Sequence, residues 1–305
     1  MLIVPGHQAL PRPLRAPAVA IGNFDGVHRG HQRLFEEIRG RAAARQAEAV
    51  VLTFEPHPAK VLAPRFAPPL ICTPARKLER IAAAGLDACV VEPFDAALAA
   101  LSPTEFVDQV IVRALGAHEL CIGYNFTFGK GRAGDAKQLA ALGRSRGFDT
   151  VIVEPVTIDG IVCSSTKVRE FVLAGRIDGA TLLLGRAPEI EGMVIRGAGR
   201  GRTLGIPTAN LRPETELLPA PGVYAGWAEL PTGKRHRAAI NLGTNPTFQP
   251  TGALHVEAHL IGFSGELYDS RLRLGLLRRL RPEQRFSSAE ALIAQIKNDI
   301  AEASA

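Results

Sequence analysis

The sequence predicts an α/β protein of two domains. Residues 1–185 form a doubly wound parallel sheet, and residues 186–305 form a small antiparallel β-barrel followed by a C-terminal helix. Three observations carry this. Short apolar runs alternate with helical patterns through residue 185, as in a parallel sheet with crossover helices. After Gly185-Arg-Ala-Pro188, strand follows strand with glycine and proline turns between them. The chain then ends on a capped amphipathic helix.

In the first domain the candidate strands are Ala18 to Phe24, Ala49 to Phe54, Ala88 to Phe94, Glu119 to Phe126 and Thr150 to Val156. The clearest helix opens at Ser102-Pro-Thr-Glu105, where a serine N-cap, a first-turn proline and a glutamate complete a capping box. Phe106, Val107, Val110 and Ile111 then repeat at helical spacing. In the second domain the strands are Gly192 to Ile195, Val223 to Leu230, Ala238 to Leu242, His255 to Ile261 and Arg271 to Leu277. Ser287 and Glu290 read as a second capping box. The stripe of Ala289, Leu292, Ile293, Ile296 and Ile300 should pack on the barrel.

With 305 residues, 46% of them hydrophobic, the chain can build two ordinary cores. A net charge of +6 and a pI near 9.4 suit polyanionic ligands, nucleotides and nucleic acids alike. No run of five basic residues occurs and aromatics are only 6%, so no nucleic-acid partner is expected. Cys72, Cys89, Cys121 and Cys163 form no Cys-x-x-Cys pair; Cys89 and Cys121 read as buried small hydrophobes. Pro5, Pro11, Pro13 and Pro17 break any signal-peptide pattern, and no stretch of 18 apolar residues exists. The expectation is a cytoplasmic protein with no membrane span, monomeric or weakly self-associating.

Between the first strand and the first helix, which should start near Gln32, lies Gly22-Asn-Phe-Asp-Gly-Val-His-Arg-Gly-His31. The free N–H groups and positive dipole end of a helix attract phosphate there. Glycines let the backbone approach a ligand, and His28 and His31 can each donate a ring N–H to a phosphate oxygen. A His-x-x-His pair alone also fits a metal half-site or two surface residues. No Cys or Glu completes a zinc set at helix-compatible spacing, and the surrounding Gly-x-Phe-Asp-Gly favours a nucleoside triphosphate.

Three further segments join it. Pro56, His57 and Pro58 follow the second strand and make either a stiffened turn or a flat apolar wall. In Gly123-Tyr-Asn-Phe-Thr-Phe-Gly129, Asn125 offers donor and acceptor groups, while Phe126 or Phe128 is either core or a stacking ring. Ser164-Ser-Thr-Lys-Val-Arg169 opens a helix; its hydroxyls, Lys167 and Arg169 suit phosphate, or form an ordinary N-cap with a solvated basic turn.

The second domain has its own candidates. Gly197, Gly199, Gly201 and Gly205 interleave with Arg196, Arg200 and Arg202, making either an anion nest or a basic surface loop. The spacing is not that of a Walker A loop. Thr208 and Asn210, two apart in Pro-Thr-Ala-Asn, face the same way in an extended segment and can present oxygens to Mg²⁺. His255-Val-Glu-Ala-His-Leu260 alternates, with Glu257 and His259 on its polar face. If that face turns toward Thr208 and Asn210, Glu257 is a candidate general base; otherwise it is a solvated strand glutamate.

Together these segments resemble two families. Residues 15–185 resemble the FMN adenylyltransferase module of bacterial FAD synthetases, within the nucleotidyltransferase superfamily. The resemblance implies transfer of AMP from ATP to FMN, giving FAD and pyrophosphate with no covalent intermediate. His28 and His31 would steady transition-state charge. Gly22, Phe24, Asp25, Gly30, Ser164 and Thr166 would line the ATP site, Arg169 would contact its phosphates, and Asn125 would act near them. Pro56, His57, Pro58 and Phe128 would contact the flavin. Many relatives carry Asp at the position of Asn125.

Residues 186–305 resemble riboflavin kinase, through the glycine-rich signature ending in Asn210, Pro221-Gly-Val-Tyr224, Asn241 to Phe248 and Arg281-Pro-Glu-Gln-Arg-Phe286. The resemblance implies phosphorylation of riboflavin to FMN with ATP and Mg²⁺. Gly197, Gly199, Arg202 and Gly205 would surround ATP phosphates, Thr208 and Asn210 would hold the metal, and Glu257 would activate the ribityl 5′-hydroxyl. Gly262, where most relatives have Asp, and Asp269, where many have Gly, imply a loosened turn after the Glu257 strand. Two other readings stay open: a nucleotidyltransferase with CTP or another acceptor, and a non-catalytic flavin- or nucleic-acid-binding regulator.

Overall fold

The computed structural model describes residues 1–197, 205–244 and 254–305. It divides into two compact units: Met1–Pro68 with Pro74–Cys163, and Pro69–Thr73 with Ser164–Ala305.

The first unit is built on six parallel strands: β1 (Leu2–Val4), β2 (Ala18–Ile21), β3 (Ala49–Glu55), β4 (Ala88–Pro93), β5 (Glu119–Gly123) and β6 (Asp149–Val153). Their order is β1-β4-β3-β2-β5-β6. Continuous apolar runs make such strands because both faces are covered. Val19, Ile21, Val50, Leu52, Leu120 and Ile122 pack on one face; Ala18, Ala20, Val51, Cys89 and Cys121 pack on the other. Burial pushes the Cys89 and Cys121 thiols up to about 12, so they are inert core groups. The chain runs from β2 out to β4 and returns to β5 on the other side of β2. The strand order thus reverses between β2 and β5, and in doubly wound sheets ligands bind at the carboxyl ends of the strands at such a point.

The Ser102 capping box is present. Glu105 N–H donates to Ser102 Oγ at 3.2 Å, and Ser102 N–H donates to Glu105 Oε2 at 2.8 Å. Strand β1 is an addition to the sequence reading; only Val4 of its three residues is buried.

The second unit contains a closed antiparallel barrel of β7 (Glu189–Ile195), β8 (Ala209–Pro213), β9 (Gly222–Glu229), β10 (Arg235–Thr244), β11 (Leu254–Leu260) and β12 (Arg271–Arg281). Its order is β7-β8-β11-β10-β9-β12. Leu211, Tyr224, Ile240, Val256 and Leu274 fill the interior, so it is a packed core rather than a channel. The helices Ser165–Leu173 and Ile177–Leu184 belong to this unit, and the second packs on β12.

The C-terminal helix Ala289–Ser304 lies on β9 and β10. Its cap is Ser288, not Ser287: Ala291 N–H donates to Ser288 Oγ at 3.2 Å. Glu290 is therefore at the second helical position, one short of a capping box. Asp299 on this helix is buried against Arg281, with Nε–Oδ1 at 3.0 Å and Nη2–Oδ2 at 2.7 Å. Asp299→Ala should destabilise the barrel by about 3–5 kcal/mol, because the guanidinium keeps its burial and loses its counter-charge. The sole tryptophan, Trp227, lies in β9, so its fluorescence in a urea titration reports the loss.

Among the described residues no helix is long and apolar enough to cross a membrane, and no group of three or more His, Cys, Asp or Glu side chains is placed to hold a metal ion.

Candidate active sites

Strand β2 stops at Ile21, and the next residues make a strained loop. Phe24, Gly26 and Val27 all take positive φ, at 51°, 77° and 40°. A left-handed valine is uncommon, and such strain persists where surroundings over-determine it, often at functional sites. Here the surroundings are specific. Gln32 Nε2 donates to Val27 O at 3.0 Å, and buried Thr53 donates to Asn23 O at 3.2 Å. The Phe24 ring is 1% exposed and lies above Gly22, where a Cβ would come within 3.0 Å of it.

The first helix, α1 (Arg29–Ala44), starts earlier than the sequence reading placed it. His28 is its N-cap and His31 lies in its first turn. The His28 side chain makes no capping bond; its carbonyl takes the N–H groups of His31 and Gln32 at 2.8 and 3.0 Å. The two imidazoles stack at 3.6 Å with 22° between their planes. Phe24 meets His31 edge-on at 5.2 Å, so this buried ring serves the site by holding His31. Gly30 makes room for His28, whose ring lies 3.1 Å from where a Cβ would be. Asp25 is buried in the same loop. Asn125 is exposed just past β5, so it and the histidine loop follow the two strands at the sheet's switch point.

The flavin candidates are placed as follows. The loop after β3 contains a cis Glu55–Pro56 peptide, and His57 caps the short helix Pro58–Leu62 by accepting from Ala59 N–H at 3.2 Å. Buried Lys77, which sequence reasoning did not single out, donates to Phe54 O at 3.1 Å and Glu55 Oε2 at 3.3 Å, pinning the entry to that loop. Phe128 is a core side chain. It packs against Phe106 and Phe126 at 5.9 and 5.7 Å and over Gly134. Ser164, Thr166 and Arg169 fall in the second compact unit. Ser164 caps the helix there, accepting from Lys167 N–H at 3.2 Å; Thr166 is exposed; Arg169 Nε donates to Pro69 O at 2.8 Å.

On the barrel, β8 runs between β7 and β11. Asn210 stands opposite Glu257, and Glu257 stands opposite Asn241 of β10. The alternate residues Leu211, Val256, Ala258, Ile240 and Leu242 are interior, so Asn210, Glu257 and Asn241 form one half-buried row on the outer face. Glu257 therefore shares the outer face with Asn210 of the Pro-Thr-Ala-Asn segment. Asn241 is a member that only strand register reveals.

Thr208 precedes β8, and His259 ties this segment down by donating from Nδ1 to Pro207 O at 2.8 Å. Gly197 leaves the space that the Asn210 amide fills; a Cβ there would lie 2.4 Å from Asn210 Nδ2. Oxygen donors at Thr208 and Asn210 beside a carboxylate suit Mg²⁺, which takes few protein ligands and leaves positions for phosphate and water. An alanine at Gly197 would have to push that amide aside.

Gly205 has φ 74°. Gly199, Gly201, Arg200, Arg202 and the block from Asn245 to Phe248 lie outside the described residues. Gly262 has φ 70°, so the turn after β11 is one that glycine suits rather than one it loosens; Asp269 takes φ 59°, a conformation glycine adopts more readily.

A strained glycine-histidine loop at a switch point, and a barrel face carrying a carboxylate beside amide and hydroxyl groups, fit a two-part transferase acting on nucleoside phosphates. The FAD synthetase family matches residues 11–167 and the riboflavin kinase family matches residues 184–305. A bifunctional riboflavin kinase/FMN adenylyltransferase of Pseudomonas fluorescens is 38% identical over 305 residues, covering 100% of this chain and 97% of that protein. Its namesake in Escherichia coli K12 is 34% identical, covering 96% and 93%. A solved structure described as a macrolide-efflux protein of Streptococcus pneumoniae shares the fold throughout, with TM-score 0.89, 29% identity and coverage of 100% and 99%. The chain belongs to the family of bifunctional riboflavin kinase/FMN adenylyltransferases.

Proposed function

We propose that the chain makes FAD from riboflavin in two steps, with the outer face of β8, β11 and β10 as the kinase centre and the loop ahead of α1 as the adenylyl-transfer centre. The observation that carries the first assignment is the register of Asn210 opposite Glu257. Glu257 takes the proton of the ribityl 5′-hydroxyl as that oxygen attacks the γ-phosphorus of ATP, and ADP leaves. Thr208 and Asn210 would hold Mg²⁺, which would supply neutralisation of phosphate charge. Gly197, Gly199, Arg202 and Gly205 belong to the same phosphate site.

In the second step a phosphate oxygen of FMN attacks the α-phosphorus of another ATP, and pyrophosphate leaves. His28 and His31 donate ring N–H groups to phosphate oxygens as charge develops. Arg169, Ser164 and Thr166 are assigned to the same ATP, Asn125 to its phosphates, and the Pro56-His57-Pro58 loop with the Phe128 region to the flavin. Residues 1–185 are thus assigned to adenylyl transfer and residues 186–305 to the kinase. The protein acts on small molecules in the cytoplasm, as a monomer or weak homo-oligomer without a nucleic-acid partner.

Incubating the pure protein with riboflavin, ATP and Mg²⁺ should give FMN and then FAD on chromatography. Chelating the metal should stop FMN formation. Turnover of FMN with CTP but not ATP, or salt-sensitive DNA binding with no flavin product, would overturn the reading.

A further inference from the structure

The main-chain pairing of β8 with β11 runs through Leu211↔Val256, Asn210↔Glu257 and Ala209↔Ala258. Thr208 lies one residue beyond this ladder. The preceding residue is a proline, which has no N–H of its own and offers the strand only its carbonyl. The side chain that ties it is His259, whose Nδ1 donates to Pro207 O at 2.8 Å. His259 is two residues past Glu257 on the same strand face. One strand thus carries the proposed base and, beside it, the anchor of the segment that presents Thr208.

We propose that His259 is a positioning residue of the kinase: its Nδ1–H holds the Pro207–Thr208 peptide plane and so fixes the Thr208 hydroxyl toward metal-bound ATP. This rests on the assignment of Thr208, Asn210 and Glu257 to the kinase centre. The carbonyl can only accept, so the bond requires the proton on Nδ1 and selects one tautomer of the neutral ring. A fixed peptide plane beside a ligand matters because small displacements of positioned groups cost rate and affinity out of proportion to the bond itself. Barrel packing does not depend on this contact, since His259 points outward while Ala258 and Leu260 fill the interior.

The test compares His259→Ala, His259→Asn and His259→Gln in the full chain. Asparagine places an N–H donor where Nδ1 stands, whereas glutamine places one nearer Nε2. The alanine and glutamine variants should raise KM for ATP about three- to tenfold, with KM for riboflavin and the FMN adenylylation rate unchanged; the asparagine variant should restore most of the loss. Independently of turnover, the neutral form of the wild-type His259 ring should carry its proton on Nδ1 rather than Nε2 in nitrogen-15 spectra. An Nε2–H tautomer overturns the proposal. So do alanine and glutamine variants with wild-type KM for ATP, or variants in which both substrates' KM values rise together and asparagine rescues neither. Glu257→Gln, run alongside, separates the two levels. If it leaves riboflavin phosphorylation intact, the kinase-centre assignment has failed; if it abolishes it while His259→Ala is silent, only the role of His259 has.

Discussion

Glu257→Gln should lower riboflavin phosphorylation by about 10²–10⁴-fold, the range typical of a positioned general base, and leave adenylylation of supplied FMN unchanged. The substitution keeps the side chain's size. It keeps Glu257's place between Asn210 and Asn241, so the row on the barrel face stays filled. What it removes is the proton acceptor. The loss should therefore appear in kcat, with KM for riboflavin and ATP shifting little, because an interaction made only as the hydroxyl is deprotonated is a transition-state interaction. An ordinary solvated glutamate on a strand would show no such effect. FMN formation followed by chromatography decides the matter, and a kcat within about twofold of the unaltered chain would remove Glu257 from the mechanism.

The kinase face shows what a sequence can and cannot reveal. Alternation in His255 to Leu260 shows that Glu257 and His259 share a face, because strand geometry is local. It does not show what they face. Asn241 joins the row only through the pairing of β10 with β11, and His259 reaches Pro207 across 52 residues of sequence. Strand β8 escaped notice for a related reason. It has five residues, ends on Pro213 and begins one residue after Thr208, so the ligand-like pattern masked a short strand.

In the first unit, apolarity ran ahead of backbone geometry. Phe24 extends the apolar run of β2 and reads as strand, yet its φ of 51° places it in the loop. From the loop its ring joins the core on one face of the sheet and also meets His31 edge-on. The C-terminal cap differed by one residue because Ser287 and Ser288 are adjacent, and only the bond to Ala291 N–H distinguishes them. Lys77 shows a further limit. A lysine at the start of a helix gives no sequence signal of burial; here two oxygens at the end of β3 bring it inside.

His31→Ala should lower FAD formation from supplied FMN by about 10²–10³-fold, as expected for loss of a donor aimed at developing phosphate charge, and leave riboflavin phosphorylation intact. Supplying FMN makes the measurement independent of the kinase. The loss has two sources. One ring donor goes, and the His28 ring loses one of the contacts that orient it, the partner stacked on it at 3.6 Å. Gly30→Ala separates these contributions, because it leaves His31 in place and intrudes on His28, whose ring stands 3.1 Å from the new Cβ. It should show a smaller loss than His31→Ala, in the same reaction only. His31→Gln keeps an N–H donor on a flexible chain and should fall between the alanine variant and the unaltered chain. If the histidines were structural, all three variants would act through stability, and flavin turnover would follow the unfolding midpoint rather than the donor count. If a folded His31→Ala protein lost both activities, the assignment of the two reactions to different residues would be wrong.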